Sequence, residues 1–351
     1  MSAAPPVEPL PYTEAEAQRT LGADWRDLTL NAYGWMRLGR ALDGRMQALQ
    51  RQGRVGFYGA ATGQEAVNVA AGLASAREDW VFPGLREQLV ALVRGHALAT
   101  YAHHLFADDR DPSRGRNMPC HPSAREVHYV SMSSVIGTQI SQAVGLAYAL
   151  RQKGDPGVSL AFFGDGATSS NDFHAGMNFA AVWHLPVVFC CANNQWAISA
   201  PTRRQTASGT FAAKASEYGI AGRKVDGTDF VRVYSMLRGA LDVARTGRGP
   251  VMLEFETYRM TPHSSSDDPS RYQPADWTLR AASHDPVARL QSWLTALGVL
   301  DSARIEEVGR EADQRVRAAV EEAEATPPPT AASLTEDVYA PLGSRPAPGS
   351  G

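Results

Sequence analysis

The sequence predicts an α/β fold, a doubly wound and mainly parallel sheet flanked by helices, and three observations predict it. Ser159-Leu160-Ala161-Phe162-Phe163 is a short apolar run stopped by Gly164, which reads as a buried strand. Phe173, Met177, Ala180 and His184 then recur at helical spacing, behind Ser169, Ser170 and Asn171, each a suitable N-cap. Leu185-Pro186-Val187-Val188-Phe189-Cys190-Cys191 is a second apolar run. Strand, helix, strand in so short a stretch is a βαβ unit, whose crossover is almost always right-handed. Asp165 and Asn194 then stand at the same carboxyl-end edge of neighbouring parallel strands. That edge is where open α/β sheets bind ligands.

The other elements follow from periodicity and punctuation. Residues 1–12 are rich in Pro and Ala and read as a loose arm. From Leu28 to Gln52, Leu30, Tyr33, Met36, Leu38, Leu42, Met46 and Leu49 mark a helix that Gly53 ends. An Ala-rich helix from Ala66 to Ala76 follows, its small residues permitting close packing. Asp79 to Pro83 reads as a short strand, with Arg86 and Glu87 near the next helix start. Residues 107–125 have little apolar content and read as a long loop. An Ala/Gly-rich helix runs from Ile140 to Leu150. Beyond the βαβ unit, Phe211 to Tyr218 predicts a short helix, and Gly219-Ile220 with Val225-Asp226-Gly227 a strand and turn. Val231, Tyr234, Leu237 and Leu241 make Asp229 to Ala244 an amphipathic helix, and Pro250 to Arg259 reads as a strand. Ile305, Val308, Ala312, Val316 and Val320 stripe a charged helix over 303–325, which predicts a solvated outer element. The Pro-rich tail from Pro327 reads as flexible, apart from a stub at Asp337-Val338-Tyr339. One domain at 28–325 thus lies between an arm at 1–27 and a tail at 326–351.

Composition narrows the function. A chain of 351 residues, 44% hydrophobic, can bury a substantial core, and its net charge of −3 argues against a nucleic-acid binder. Lys153, Lys214 and Lys224 are the only lysines, a bias toward arginine that points to a GC-rich genome rather than a binding surface. Three cysteines, two adjacent in a buried strand, form no disulfide framework and suit a reducing cytosol. The first thirty residues lack a basic-then-apolar signal pattern, and no apolar run reaches membrane-spanning length. A cytoplasmic protein without membrane contact is expected.

The chemistry at the sheet edge is specific. Mg²⁺ takes about six oxygens in octahedral geometry. Asp165 offers a carboxylate, Asn194 an amide oxygen and Trp196 a backbone carbonyl, leaving room for two diphosphate oxygens and a water. Gly164 and Gly166 let phosphate approach backbone N–H groups near a helix start. Gly-Asp-Gly alone is also an ordinary strand-to-helix turn. The Asn193-Asn194 pair after a second apolar strand is what favours the metal reading. Arg86 can grip phosphate oxygens bidentately, or merely pair with Glu87. His263 can donate to phosphate or move a proton near neutrality, or sit in an exposed turn.

Gly164-Asp165-Gly166-Ala167-Thr168-Ser169, with Asn193-Asn194-Gln195-Trp196-Ala197-Ile198-Ser199, resembles the thiamine-diphosphate motif of the 2-oxo acid dehydrogenase alpha subunits. The resemblance extends over 30–340, with the motifs in the family's order. It implies the thiamine-diphosphate-binding fold, with Mg²⁺ on Asp165, Asn194 and the Trp196 carbonyl. The diphosphate would lie on Arg86 and against Gly166, Ala167 and Asn194. Ser134 and Ile136 would hold the aminopyrimidine ring, and Ser133, Val135, Thr138 and Gln139 a structural K⁺ as in the branched-chain type. Gly115-Arg116-Asn117-Met118-Pro119 and His121 resemble the family's loop on the active-site side. Tyr258-Arg259, His263 to Asp268 and Arg271-Tyr272 resemble the loop over the cofactor, where the histidine contacts it and assists acyl transfer to lipoamide. Ser264 matches a kinase target of animal relatives. Asp267-Asp268 and Tyr272 favour the branched-chain type, with pyruvate or acetoin as the alternative substrates.

The sequence also departs from the pattern. Leu85 stands where the family has tyrosine, Ser170-Asn171 where it has Glu-Gly, and Ala192 where it has Arg or Glu. Each lost charge-assisted contact costs on the order of 1–3 kcal/mol. A degenerate scaffold subunit is therefore a second alternative. In the family a beta subunit supplies the glutamate that activates the aminopyrimidine. The resemblance thus implies an α₂β₂ heterotetramer serving a lipoyl-bearing acyltransferase, with the lone chain inactive.

Overall fold

The computed structural model of the chain describes residues 7–264, 266–336 and 338. Among the described residues there are seven strands: β1 (Trp80–Phe82), β2 (Ser159–Gly164), β3 (Val187–Asn193), β4 (Trp196–Ala197), β5 (Ala200–Pro201), β6 (Ala221–Asp226) and β7 (Val251–Glu256). Five of them form one parallel sheet in the order β1-β2-β3-β7-β6, and β4 and β5 make a small antiparallel hairpin beyond its edge. The first helices are α1 (Glu14–Leu21), α2 (Trp25–Arg51), α3 (Glu65–Ala74), α4 (Gln88–Val93), α5 (Leu98–Phe106) and α6 (Thr138–Lys153). After them come α7 (Asn171–Val182), α8 (Ala213–Ser216), α9 (Phe230–Arg245), α10 (Trp277–Ser283), α11 (Pro286–Ala296) and α12 (Ser302–Glu324).

The central strands are apolar throughout because both faces are covered, and the two-residue period divides them between two cores. Leu160, Phe162, Val188, Cys190 and Leu253 point into the core made with α2, α3 and α9. Ala161, Phe163, Phe189, Cys191 and Met252 point the other way, against Ile140 and Val144 of α6 and Phe173 and Met177 of α7. Each buried phenylalanine contributes about 1.5–3 kcal/mol relative to exposure. The adjacent cysteines are thus free, buried packing residues on opposite faces.

Asp79 ties the amino end of the sheet. Its carboxylate accepts from the backbone N–H groups of Ala76 and Val158, and both of its oxygens accept from Nη2 of Arg245, at 2.8–2.9 Å. One fully buried side chain therefore joins the entry to β1, the entry to β2 and the end of α9.

Several elements differ from their sequence reading, each for a tertiary reason. The segment expected to be loose docks from Leu10 onward. Leu10, Ala17, Leu21 and Trp25 are buried, Thr13 forms a capping box with Glu16, and the Tyr12 hydroxyl donates to Asp229 at 2.7 Å. The helix expected as a solvated outer element, α12, instead buries Val308, Ala312, Val316, Ala319, Val320 and Ala323 against α2 and α5. The helix expected over Phe211–Tyr218 shortens to the single turn of α8. Helices α5, α10 and α11 arise where sequence reading placed none. In the tail, Asp109 N–H donates to the Pro327 carbonyl at 2.9 Å and Ser333 is buried in a short 3-10 turn. Asp337 and Tyr339 of the expected stub, and Ser265, lie outside the described residues. No helix among the described residues is long and apolar enough to cross a membrane.

Candidate active site

The βαβ unit builds the site from its strand ends. β2 and β3 pair in register with Gly164 opposite Ala192, so Asp165 and Asn194 emerge side by side just past the sheet. Asp165 opens a 3-10 turn over Asp165–Ser169, closed by the Thr168 hydroxyl donating to the Asp165 carbonyl at 2.8 Å. Ser170 is the cap that starts α7, accepting from Phe173 N–H. A β-carbon on Gly166 would lie 2.8 Å from that of Ala197, so only glycine lets the β4–β5 hairpin close over the turn.

The paired asparagines divide their labour. The Asn193 amide donates to Glu254 at 2.8 Å, and its oxygen accepts from Gln195 N–H and the Thr202 hydroxyl. That spends Asn193 on the fold; Asn194 stands on the cleft wall, its Oδ1 accepting from Trp196 N–H at 3.3 Å with a lone pair to spare. The turn beyond it is strained: Gln195 has φ +72° and Ile198, a β-branched residue, φ +53°. Buried Arg259 clamps this turn by donating to the carbonyls of Trp196 and Ile198, at 3.2 and 2.9 Å. The Trp196 carbonyl anticipated as a metal ligand therefore already accepts one hydrogen bond, and has one lone pair to spare.

A cleft of about 490 Å³ runs along this edge. Its wall brings Arg86, Ser133, Ser134, Val135, Ile136 and Gln139 together with Asp165, Gly166, Ala167, Asn194, Trp196 and His263. Thr138 is absent from the wall; its hydroxyl donates to the Val135 carbonyl at 3.1 Å, while Ser133 Oγ accepts from Val135 N–H. Leu85 and Ala192 also line the cleft, as apolar wall.

Electrostatics prepare the cleft for an anion and a cation. The Arg86 guanidinium is buried and donates to the carbonyls of Ala60 and His263, and among the described residues no carboxylate lies within salt-bridge distance of it. Burial, reinforced by nearby Arg259, pulls its pKa down to about 10. A buried, uncompensated guanidinium is costly unless an anion meets it. Asp165 is equally buried; desolvation pushes its pKa up to about 6, while Gln205 Nε2, donating to Oδ2 at 2.5 Å, works in the opposite direction. Gln139 donates to the Phe162 carbonyl, but its Oε1 is buried with no partner among the described residues. This donor set suits a divalent cation with a diphosphate.

His263 faces the same space. Burial, then Arg86 and Arg259, lower its pKa from 6.5 to about 4, so the imidazole is neutral at physiological pH. Its loop is pinned through Asp267, which accepts from His263 N–H at 2.7 Å and from the Tyr272 hydroxyl at 2.5 Å; Arg259 donates to that same hydroxyl.

Sequence reading missed four groups here. Gln205 and Glu254 lie far along the chain from the residues they hold, and nothing in their own neighbourhood marks them. Glu87 is buried on the cleft wall with its pKa pushed up to about 7 by desolvation, where only a surface partner for Arg86 was considered. His121 was seen only as part of a loop, yet its ring lies on the wall.

Comparison with known families gives one match, to the dehydrogenase E1 component over residues 33–332. The chain belongs to the dehydrogenase E1 component family. This is a thiamine-diphosphate-dependent family. A relative named 2-oxoisovalerate dehydrogenase subunit alpha 1, mitochondrial, from Arabidopsis thaliana is 38% identical over 89% of the chain. One named 2-oxoisovalerate dehydrogenase subunit alpha, from Pseudomonas aeruginosa, is 39% identical over 86%. A Staphylococcus aureus pyruvate dehydrogenase E1 component subunit alpha is 38% identical over 86%. The chain spans 66% of the length of the Arabidopsis relative, 76% of the Pseudomonas one and 79% of the Staphylococcus one.

Proposed function

We propose that the chain is the alpha subunit of a branched-chain 2-oxo acid dehydrogenase decarboxylase component. It would carry out oxidative decarboxylation of acids such as 3-methyl-2-oxobutanoate and pass the acyl group to lipoyl groups of an acyltransferase. The observation that carries this reading is the meeting on one cleft wall of Asp165, Asn194, neutral His263 and an Arg86 with no carboxylate partner among the described residues.

Asp165 and Asn194, with the Trp196 carbonyl, would hold Mg²⁺, which relieves the burial of the Asp165 carboxylate. Arg86 would meet the diphosphate, and Gly166 and Ala167 present backbone rather than side chain to it. Ser134 and the Ile136 backbone would hold the aminopyrimidine. A structural K⁺ at Ser133, Val135, Thr138 and Gln139 has its support in the Gln139 Oε1, which is buried without a partner among the described residues. When bound, thiamine diphosphate supplies the electron sink that makes loss of CO₂ from a 2-oxo acid possible. Leu85, Val135 and Ile136 give that part of the cleft an apolar wall. His263, neutral and held by Asp267, can accept or donate a proton at its ring during acyl transfer.

The proposed assembly is an α₂β₂ heterotetramer in the cytoplasm, the beta subunit supplying the acid that activates the aminopyrimidine. The test is Mg²⁺- and thiamine-diphosphate-dependent turnover of 3-methyl-2-oxobutanoate beside pyruvate, by the chain co-purified with its beta subunit. Faster turnover of the branched acid is expected, abolished in Asp165→Ala and absent from the lone chain. Preference for pyruvate, as the Staphylococcus relative's name suggests, keeps the mechanism and changes the substrate. Absence of both turnover and cofactor binding assigns a scaffold role.

A further inference from the structure

His121 lies on the cleft wall, 6% exposed, and the proposed function gives it no role in holding the metal or the diphosphate. Its ring nitrogens are both committed. Nδ1 stands 2.9 Å from the Pro119 carbonyl, which can only accept, so Nδ1 carries the hydrogen. In the neutral ring Nε2 is then a bare lone pair, and the Ser134 hydroxyl stands 2.5 Å from it. The hydroxyl must donate. Having spent its one hydrogen, Ser134 shows the cleft lone pairs only.

The arrangement is fixed from behind. The His121 backbone N–H donates to Nε2 of His104 at 3.1 Å, which requires the His104 hydrogen to be on Nδ1, facing Asp111 Oδ1 at 3.1 Å. Asp111 is held in turn by the Ser113 hydroxyl and by Gly115 N–H. His104 and Asp111 are buried. The loop therefore folds around Asp111, and a chain of hydrogen bonds leads from it to the one exposed hydroxyl of Ser134.

We propose that His121 is a positioning residue that holds the Ser134 hydroxyl as an acceptor, so that the cleft selects a ligand ring bearing an amino or N–H donor at that point. The assignment rests on the proposed function, in which the donor is the amino group of the thiamine diphosphate pyrimidine. A ligand lacking that ring gains nothing from the pair.

The experiment titrates the full chain, purified with its beta subunit, with thiamine diphosphate and separately with inorganic diphosphate, both with Mg²⁺, by calorimetry. His121→Leu and Ser134→Ala are each expected to weaken thiamine diphosphate about tenfold and to leave inorganic diphosphate unchanged. The double variant should bind no worse than either single one, because both remove the same hydrogen bond. Ser134 is exposed, so its alanine variant reports even where the histidine variant does not fold. Unchanged thiamine diphosphate affinity in the single variants, additive losses in the double one, or an equal loss for inorganic diphosphate overturns the assignment. A wild-type complex that binds neither probe removes the cofactor reading itself, which tells the two failures apart.

Discussion

At the scale of single residues, burial decides which ionisable groups can work at neutral pH. His263 has its pKa lowered from 6.5 to about 4 by burial and by Arg86 and Arg259. The sign follows directly: the folded ring refuses a proton that the unfolded chain accepts below 6.5. The loop therefore keeps its full stability above about 6.5 and loses it as pH falls from there through about 4. Titration of the histidine ring resonances by NMR should place the His263 midpoint near 4, and a midpoint near 6.5 would sink the buried-loop account. The same residue scale explains the departures at Leu85 and Ala192. Both lie on the cleft wall as apolar surface, so a bound diphosphate would lean more heavily on Arg86.

At the scale of elements, the site is an arrangement of strand ends, and what holds those ends is far from the chemistry. Asp79 is the clearest case, since it satisfies two backbone donors and one arginine with no exposure to water. Asp79→Ala leaves those donors buried and unpaired, at a cost of about 3 kcal/mol or more. Urea unfolding should show that loss with cofactor affinity per folded molecule unchanged; a loss under about 1 kcal/mol would mean that Arg245 and the two strands find other partners. Glu254 plays the matching part at the carboxyl end, holding Asn193 and the Ala212 N–H. Its strand, β7, lies next to β3, so the Asn193-Asn194 turn depends on a residue from another βαβ unit.

At the scale of the molecule, α6 and α7 cover the sheet on one side and leave aromatic surface uncovered. Phe179, Val182 and Trp183 are 44%, 65% and 44% exposed, with Tyr148 edge-on to both rings at 5.5–6.0 Å. An apolar cluster of this kind marks a protein contact more often than a free surface. Substituting Val182→Asp with Trp183→Ser should weaken subunit association tenfold or more, since buried tryptophan at an interface centre is worth about 2 kcal/mol. Sedimentation should show the dissociation and calorimetry a nearly unchanged melting temperature. Intact assembly in that variant would assign the patch to some other contact.

The local sequence determined the two buried strands, the Ser-capped helix between them and the sheet edge shared by Asp165 and Asn194. Hydrophobic runs, N-caps and glycines act over a few residues, so they are legible without the fold. It also carried the family through motif order, and with it Arg86 and His263. Only tertiary structure decided that α12 is buried against α2 and α5, that Leu10 and Tyr12 dock, and that Arg86 lacks a carboxylate partner among the described residues. Those outcomes depend on which surfaces meet, and periodicity shows that a helix has an apolar stripe without showing what covers it. The parts played by Gln205 and Glu254, and the contact of His121 with Ser134, were illegible for the same reason. Each acts on a residue it meets only when distant segments, or the two ends of a folded loop, close on one another.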